Sequence, residues 1–359
     1  MPPRAAILGL AGPVLAEEER RFFAESDPLG FILFKRNCET PAQLKRLVDD
    51  LRASVGRGDA PVLIDQEGGR VARLGAPHWR QPPAAATFAT LAEQDLALGG
   101  EAARLNARLM AADLAAVGIN VDCAPVLDLP VPGAHDVIGQ RAHGRTPDMV
   151  ATLGRAVCEG LLEGGVLPVI KHMPGHGRAT VDTHHALPVV ATGEAELRRT
   201  DFAPFHALND MPWGMSAHVV YSAIDADRPA TTSPQVIDRV IRGHIGFGGV
   251  LVTDDLSMQA LSGTVGDRAA AALAAGCDVA LHCNGKMDEM RSVMAVAPPL
   301  GEASLARLER GQQLLHDPHP LDPAQGLARL EALMSGRAAA EAWQALHAGH
   351  SPHSPLRYA

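Results

Sequence analysis

Acidic, basic and imidazole side chains follow short apolar segments at six places along this chain. Buried charges are costly without partners, so this many polar groups at segment ends is poorly explained as a set of stabilising features. A pocket that combines several acids with several bases fits carbohydrate or phosphate chemistry. The groups are Asp65 with Glu67, Asp122 with Asp128 and Arg141, Lys171 with His172, His218, Asp254 with Asp255, and His282 with Asn284.

The densest group is the stretch KHMPGHGRATVDTHH, which opens at Lys171. Asp182 and His184 are two residues apart in a segment marked by Gly and Pro, so their side chains can meet. An acid beside an imidazole favours the protonated ring and fixes its orientation, and such a pair can donate a proton and later take one back. A metal site built from His172, His176, His184 and Asp182 is the main alternative, although no familiar zinc spacing is present.

Each apolar segment is followed by a loop and then by a helical pattern. Nearly continuous apolar segments are expected for parallel strands that are covered on both faces. Eight of them alternating with helices predict a single-domain α/β fold, a TIM-type (β/α)8 barrel, whose active site lies at the carboxyl ends of the strands. An open doubly wound sheet is the alternative, but its G-x-G-x-x-G fingerprint is missing. The predicted strands are 5–12, 31–34, 61–65, 119–125, 167–172, 213–220, 249–254 and 277–283.

The predicted helices carry clear start signals. Thr40-Pro41, Thr146-Pro147 and Ser233-Pro234 each place a capping hydroxyl before a proline that has no N–H to satisfy. We expect the barrel with its C-terminal helices to span 1–348 and the tail, 349–359, to be loose. The predicted helices are 15–25, 41–55, 98–117, 147–163, 194–208, 234–242, 266–275 and 304–316, followed by two more helical stretches to about Ala348.

Composition excludes several classes of protein. The net charge of −9 and the lack of a long basic run argue against a nucleic-acid partner. No apolar segment approaches the roughly 20 residues that span a bilayer, so we expect no membrane insertion. The N-terminal apolar stretch soon meets Glu17–Glu19, which does not fit a signal peptide. The five cysteines, without C-x-x-C, indicate buried free thiols in a reducing compartment, so we expect a cytoplasmic protein.

Four stretches together resemble the bacterial β-N-acetylglucosaminidases of glycoside hydrolase family three, the type used in cell-wall recycling. They are IDQEGGRVARL (64–74), IGQR (138–141), KHMPGHG with DTHHALP (171–188) and VTDDLSM (252–258). The resemblance covers nearly the whole predicted barrel. Met173 stands where the family usually has an aromatic residue, and Gln140 stands where an acid is expected.

The resemblance implies a role for each matching residue. Asp254 matches the catalytic nucleophile, His184 the general acid/base and Asp182 its partner. The sugar-binding positions are matched by Asp65, Arg73, Arg141, Lys171 and His172. The residues alone would instead pair Asp254 with Glu67 or Asp128, because most glycosidases use two carboxylates. Side-chain alternation points Asp254 into the barrel mouth and leaves Asp255 a supporting or capping role.

The implied activity is retaining hydrolysis of terminal β-linked N-acetylglucosamine, with no cofactor and no metal. The implied substrate is N-acetylglucosamine linked to 1,6-anhydro-N-acetylmuramic acid in muropeptides, and no obligate protein partner is evident. Two alternatives stay open. One is a barrel that binds amino sugars without cleaving them, and the other is a metal-dependent barrel hydrolase.

Overall fold

The computed structural model describes residues 1–133, 136–179 and 187–335. Within them, eight strands pair in parallel to form one sheet, as the sequence predicts. Their bounds are β1 Arg4–Leu8, β2 Pro28–Leu33, β3 Val62–Ile64, β4 Val121–Asp122, β5 Leu167–Met173, β6 Trp213–Ser216, β7 Val250–Val252 and β8 Ala280–His282.

The sheet closes on itself. Strands β1 to β7 lie side by side in chain order, and β8 pairs with β1 on the other edge. A parallel bridge between Val252 and Val279 joins β7 to the start of β8. Thr253 donates its backbone N–H to the Val279 carbonyl at 3.0 Å, and Asp278 donates its backbone N–H to the Leu251 carbonyl at 2.8 Å. The fold is therefore the predicted (β/α)8 barrel, and the open-sheet alternative is wrong.

Side-chain alternation along the strands decides what reaches the barrel mouth. One buried apolar cluster fills the barrel interior and includes Leu63, Val169 and Val252. A second cluster lies between the strands and the surrounding helices. Because side chains alternate, the residue two positions beyond each interior residue points to the same side. Asp65, Lys171 and Asp254 therefore project into the mouth of the barrel.

Eleven α-helices surround the sheet within the described residues. Thr40 and Thr146 cap α2 and α5 as predicted, each accepting a backbone N–H through its hydroxyl. The helices are α1 Glu17–Ser26, α2 Pro41–Ser54, α3 Ala85–Gln94, α4 Leu96–Ala116, α5 Pro147–Glu163, α6 Glu194–Arg199, α7 Ala203–Ala207, α8 Val265–Ala275, α9 Met287–Val296, α10 Glu302–Gln312 and α11 Pro323–Met334.

Several helices differ from the sequence prediction. The segment predicted as one helix over 194–208 is broken into α6 and α7, because Pro204 cannot donate the hydrogen bond that a continuous helix needs. The segment predicted over 234–242 is a π-helix, Val236–His244. Helices α3 and α9 were not predicted at all.

In the described part of the chain, four short strands lie outside the barrel sheet. Gln66–Gly68 and Val71–Ala72 form an antiparallel pair, called the mouth hairpin below. Val189–Val190 pairs in parallel with Val220–Tyr221. Single 3-10 turns are Lys35–Asn37, Gly139–Arg141 and Ala230–Thr232.

Three further expectations concern the chain as a whole. All five cysteines lie in the described part, where they are free and buried. None of the helices in the described ranges is long and apolar enough to cross a membrane. The expected limits of the barrel unit, 1–348, and the tail, 349–359, involve residues outside the described ranges.

A buried acid ties the barrel together at the end opposite the mouth. Asp278 precedes β8 and is 6% exposed. Its carboxylate contacts Arg242 of the π-helix and Arg307 of α10, each at 2.7 Å. It also accepts the Ser304 hydroxyl at 2.6 Å and the Leu251 backbone N–H at 2.9 Å. One carboxylate thus joins β7, β8 and the two helices.

Asp278→Ala leaves two partly buried guanidinium groups without their shared acid. We expect the free energy of unfolding to fall by about 3 kcal/mol, as for other broken buried pairs, with KM unchanged because the residue is remote from the mouth. Urea unfolding and steady-state kinetics test this. Glu101→Ala is the matched control, because its pair with Arg329 is exposed and contributes less than about 1 kcal/mol. Equal losses in the two variants would contradict the assignment.

Candidate active site

The mouth hairpin is fixed by the side chain of Gln66, which is 1% exposed. Its carbonyl oxygen accepts the backbone N–H groups of Arg73 and Leu74 at 2.9 and 3.0 Å. Its own backbone N–H donates to Asp122 at 2.9 Å. These bonds hold both arms of the hairpin against β4. Asp65, which directly precedes the hairpin, and Arg73, which follows it, are therefore held on rigid backbone.

Alternating charges converge around the ammonium of Lys171, whose side chain is 3% exposed. The ammonium lies 2.9 Å from Asp65 and 2.7 Å from Glu67. Arg73 contacts the other oxygen of Asp65 at 2.8 Å. Arg141 forms a two-pronged pair with Glu67, with both N–O distances 2.8 Å. Side chains from β5, the mouth hairpin and the loop after β4 thus form one network.

The network fixes the charge of its members. Burial alone would raise the pKa of Asp65, but Lys171 and Arg73 outweigh it and hold that pKa well below its usual value. Burial likewise opposes ionisation of Glu67, yet Arg141 and Lys171 lower its pKa to about 2. Burial would lower the pKa of Lys171, but the two carboxylates raise it above its ordinary value. Asp65 and Glu67 are therefore anions and Lys171 a cation at neutral pH.

A second group is organised around the fully buried carboxylate of Asp128. One of its oxygens lies 2.7 Å from Nδ1 of His172. The other accepts the backbone N–H groups of His172 at 3.2 Å and His176 at 2.6 Å. Asp128 therefore orients the His172 ring and fixes the first turn of the loop after β5. Burial lowers the pKa of His176 to about 4, so this ring is neutral at physiological pH.

Asp254 follows β7 and is 9% exposed. Its carboxylate accepts the backbone N–H of Asp255 at 2.8 Å. Burial opposes ionisation, but His172, His218 and that hydrogen bond together lower its pKa below the ordinary value. The side chain is thus an oriented anion, as a nucleophile requires.

Asp255 has a different role from its neighbour. One oxygen accepts the backbone N–H groups of Ser257 at 3.0 Å and Cys283 at 3.2 Å. The other accepts the Ser257 hydroxyl at 2.5 Å. Its backbone carbonyl accepts Nε2 of His218 at 3.0 Å. These bonds tie the loop after β7 to the residue that follows β8. Asp254 and Asp255 both line the cavity at the mouth, but both carboxylate oxygens of Asp255 already accept hydrogen bonds from Ser257 and Cys283.

A cavity of about 170 Å³ lies at the mouth, between these groups. It brings together six of the eight site residues predicted from the sequence. The other two, Asp182 and His184, lie outside the described residues. The predicted residues that line the cavity are Asp65, Arg73, Arg141, Lys171, His172 and Asp254.

Other side chains that line the same cavity are not among the eight residues to which the resemblance assigns a role. Glu67 and His176 belong to the quoted motifs, but only the structure shows what they contact. Phe34 lies within 5.1 Å of the Arg73 guanidinium, measured from its ring centroid. Its position at the end of the second predicted strand could have identified it as a site residue, because active sites of such barrels lie at the strand ends. Met258, the last residue of VTDDLSM, also lines the cavity.

Both carboxylates that general glycosidase chemistry would pair with Asp254 are bound to cationic or imidazole side chains. Glu67 is held as an anion by two cations, and Asp128 is fully buried against His172. A general acid must carry a proton near neutral pH. Burial opposes ionisation of Asp128, but His172 lowers its pKa below the ordinary value. Neither Glu67 nor Asp128 is therefore suited to donate a proton to a leaving group.

The two departures from the family pattern lie beside the cavity rather than in it. Met173 is fully buried at the end of β5, and a β-carbon on Gly214 would lie 2.7 Å from its terminal methyl. The departure at Met173 therefore affects the packing of β5 against β6. Gln140 lies in the 3-10 turn that carries Arg141 and is partly exposed.

The described residues give little support to the hypothesis of a metal site after β5. Across residues 1–133, 136–179 and 187–335, no group of three or more His, Cys, Asp or Glu side chains is arranged to hold a metal ion. His172 is already paired with Asp128. Asp182 and His184, the other ligands of that hypothesis, lie outside these ranges.

The family assignment follows from comparison with known proteins. The glycosyl hydrolase family 3 N-terminal domain matches residues 10–313. The chain belongs to this family. It is 42% identical to a β-hexosaminidase of Methylococcus capsulatus over 279 residues, which cover 77% of this chain and 81% of that protein. It is 37% identical to a β-hexosaminidase of Bordetella avium over 307 residues, covering 83% and 86%.

Solved structures agree with the sequence matches. NagZ from Neisseria gonorrhoeae in complex with N-trifluoroacetyl-D-glucosamine aligns with a TM-score of 0.80 and 32% identity, covering 97% of this chain and 98% of that chain. The family, the barrel fold and the glycoside hydrolase class predicted from the sequence are confirmed. The roles of the individual residues stay predictions.

Glu67→Gln tests the charge network through its pH dependence. The pKa of Glu67 is about 2 in the folded protein against an ordinary 4.5. Because the pKa of Glu67 is lower in the folded protein than in the unfolded chain, its ionisation stabilises the fold at pH values above the ordinary pKa. This stabilisation is lost as the pH falls toward the pKa of the folded protein. The stability difference between wild type and variant should shrink by about 1 kcal/mol per pH unit below pH 4.5, in urea unfolding between pH 6 and 3.

Glu159→Gln is the matched control, because its carboxylate is about half exposed and 3.8 Å from Arg104. We expect its difference from wild type to stay nearly constant over the same range. A constant difference for Glu67→Gln as well would show that Glu67 is not held as an anion by the network.

Proposed function

We propose that the chain is a retaining exo-β-N-acetylglucosaminidase, with Asp254 as nucleophile, His184 as general acid/base and Asp182 as the partner of His184. The observation that carries the proposal is the ionised carboxylate of Asp254 in a cavity lined by paired charges. The relatives named β-hexosaminidase support the reaction class. The amino-sugar ligand of the Neisseria gonorrhoeae structure supports the sugar.

The mechanism is a double displacement. Asp254 attacks the anomeric carbon while His184 protonates the leaving oxygen, which gives a glycosyl–enzyme ester and a free aglycone. His184 then removes a proton from water, which attacks the anomeric carbon and releases Asp254. Two inversions leave the β configuration unchanged. Both steps pass through an oxocarbenium-like state, which the negative charge of Asp254 stabilises.

The charge network is suited to hold sugar hydroxyls. Each carboxylate oxygen of Asp65 and Glu67 has more than one lone pair, so both acids can accept hydroxyl protons while remaining paired with cations. Lys171, Arg73 and Arg141 can donate to hydroxyl or acetamide oxygens. Because these groups already neutralise one another, they need no reorganisation when the sugar displaces water. His172 is oriented by Asp128 toward the same cavity.

The described carboxylates support a histidine in the acid/base role. Asp65 and Glu67 are anions held by cations, and Asp254 is needed in its ionised form as the nucleophile. Asp255 also lines the cavity, but both of its oxygens accept hydrogen bonds from Ser257 and Cys283. We therefore assign the proton donor to another group. A histidine paired with an acid can give up and retake a proton near pH 7. Asp182 and His184 follow the loop turn that Asp128 fixes.

For the natural substrate we propose N-acetylglucosamine linked to 1,6-anhydro-N-acetylmuramic acid in cytoplasmic muropeptides. The support is the resemblance to enzymes of cell-wall recycling and the likeness to NagZ. Kinetics on a panel of chromogenic β-linked sugars, with and without prolonged chelation, test whether the protein is a metal-independent glycosidase. We expect turnover of the N-acetylglucosaminide that survives chelation. Binding without turnover would favour the non-catalytic barrel, and loss on chelation would favour a metal-dependent one.

A 2-fluoro sugar with a good leaving group should form an ester with Asp254, because fluorine slows hydrolysis of the intermediate more than departure of the activated leaving group. Intact-mass analysis and peptide mapping detect the adduct. Asp254→Asn should lower kcat by on the order of 10⁴-fold or more. Asp255→Asn is the control variant, and we expect it still to form the adduct on Asp254. Turnover by wild type with no adduct on Asp254 would contradict the proposed nucleophile.

His184→Ala should affect substrates according to their leaving group. For a phenyl or disaccharide aglycone, which needs protonation, kcat/KM should fall on the order of 10²- to 10⁴-fold. For a 2,4-dinitrophenyl aglycone, which departs as a stable anion, the fall should be much smaller. Equal losses for both substrates would argue against His184 as the general acid.

A further inference from the structure

His218 is one of the polar residues that follow an apolar segment, yet it is not part of the cavity lining that the described residues form. Its ring is fully buried two residues beyond β6, and both ring nitrogens have partners. Nδ1 lies 2.8 Å from the Thr231 hydroxyl, and Nε2 lies 3.0 Å from the backbone carbonyl oxygen of Asp255. A carbonyl oxygen can only accept a hydrogen bond, so Nε2 carries a hydrogen and donates it to Asp255.

The other ring nitrogen fixes the tautomer of His218. Burial lowers the pKa of His218 below its ordinary value, so the ring is neutral at pH 7 and its Nδ1 is bare. Nδ1 therefore accepts the Thr231 hydroxyl, whose oxygen lies 2.8 Å from the Ser216 hydroxyl. The Ala217 carbonyl also lies 3.0 Å from the Thr231 hydroxyl, but it already accepts the Thr231 backbone N–H at 3.3 Å. Hydrogen bonds thus run from Ser216 through Thr231 and His218 to Asp255.

Asp255 connects this chain of hydrogen bonds to the proposed nucleophile. Its backbone N–H donates to the Asp254 carboxylate at 2.8 Å, so the position of the Asp255 backbone sets the direction of that carboxylate. The next residue, Leu256, donates its backbone N–H to the Leu281 carbonyl of β8 at 3.0 Å. This bond holds the loop after β7 on the side of β8, and the bond from His218 holds it on the side of β6. The loop that carries Asp254 is therefore fixed between the two strands that flank β7.

The charged groups nearby indicate that His218 acts through its N–H rather than through a charge. The titratable groups that act on its ring are Asp254, Asp255 and His172. Burial would raise the pKa of Asp254, and His172 is the largest of the groups that lower it instead, with Lys171 also contributing. Asp254 therefore does not rely on a charge at His218 for its ionisation, and what His218 supplies is a hydrogen bond in a fixed direction.

We propose that His218 is a positioning residue for Asp254. Its Nε2–H, with the ring orientation set by Thr231, holds the Asp255 carbonyl and so fixes the backbone N–H that aims the carboxylate of Asp254. The inference rests on the proposed function, because a fixed carboxylate at this position matters only if it attacks the sugar. His218 touches neither sugar nor reacting atoms in this account. Its loss should slow the attack and leave sugar binding by the Lys171 network intact.

The rate of labelling by the activated 2-fluoro sugar separates positioning from folding. Intact-mass analysis follows the adduct with time over a series of concentrations, which gives a saturating rate constant and an inhibition constant, KI. Neither constant depends on the fraction of the protein that is folded. For His218→Leu, which fills the space but donates no hydrogen bond, we expect the rate constant to fall on the order of 10- to 100-fold, as for a small misplacement of a catalytic group. KI should be unchanged, because the Lys171 network still binds the sugar.

Three further variants sharpen the comparison. His218→Gln carries an amide N–H at a reach similar to that of Nε2, so it should label faster than His218→Leu. Thr231→Val keeps the shape of the side chain but removes the hydroxyl that orients the ring, so its rate constant should lie between those of wild type and His218→Leu. Asp278→Ala is the control, because it destabilises the barrel far from the mouth, and we expect it to keep the wild-type rate constant and KI.

The outcomes distinguish this inference from the proposed function. A wild-type rate constant for His218→Leu, with the adduct on Asp254, would show that the positioning role is wrong while the nucleophile assignment stands. A raised KI with an unchanged rate constant would place His218 in sugar binding and would also overturn the inference. So would equally slow labelling of His218→Gln and His218→Leu, because the N–H would then not matter. If wild type turns over substrate with no adduct on Asp254, the proposed function itself fails.

Discussion

The ammonium of Lys171, buried between the carboxylates of Asp65 and Glu67, is the interaction on which the mouth of the barrel depends. Two anions at this depth would repel each other and lose hydration without it. Arg73 binds the other side of Asp65 and Arg141 binds Glu67, so each acid contacts two cations. The result is a water-accessible cavity whose polar groups are ionised and oriented before any sugar arrives. Preorganisation of this kind is what stabilises charge as it develops during a reaction.

The barrel makes this arrangement possible through its alternation and its closure. Interior side chains at Leu63, Val169 and Val252 set the direction of the residues two positions later, which are Asp65, Lys171 and Asp254. Contacts between β7 and β8 close the ring at Asp278, far from the mouth. Stability and chemistry therefore lie at opposite ends of the strands, as is usual in this architecture.

Much of this was readable from the sequence because the relevant signals are local. Apolar segments followed by polar residues gave eight strands and the end at which chemistry occurs, and Thr40 and Thr146 marked helix starts correctly. Motif resemblance selected six residues that share one cavity. Local patterns could not show that Asp128 orients His172, because the two residues are 44 apart in sequence and meet only when β4 and β5 pair.

Long-range packing explains the other misses too. The break at Pro204 has a visible local cause, but the ion pair between Asp201, which lies beside it, and Arg178 depends on the path of a loop from another part of the chain. Phe34 ends an apolar strand and looks like a core residue until the position of Arg73 is known. Glu67 looks like a free catalytic acid until its two cations are located.

The central claim is that Asp254 faces the anomeric carbon of a sugar held by the Lys171 network. A crystal structure of the Asp254→Asn variant with an uncleaved β-linked N-acetylglucosamine disaccharide tests it directly. The account predicts the anomeric carbon about 3 to 3.5 Å from the side chain at position 254, with ring hydroxyls bound by Asp65 and Lys171. A sugar bound in the cavity with its anomeric carbon turned away from position 254 would contradict it.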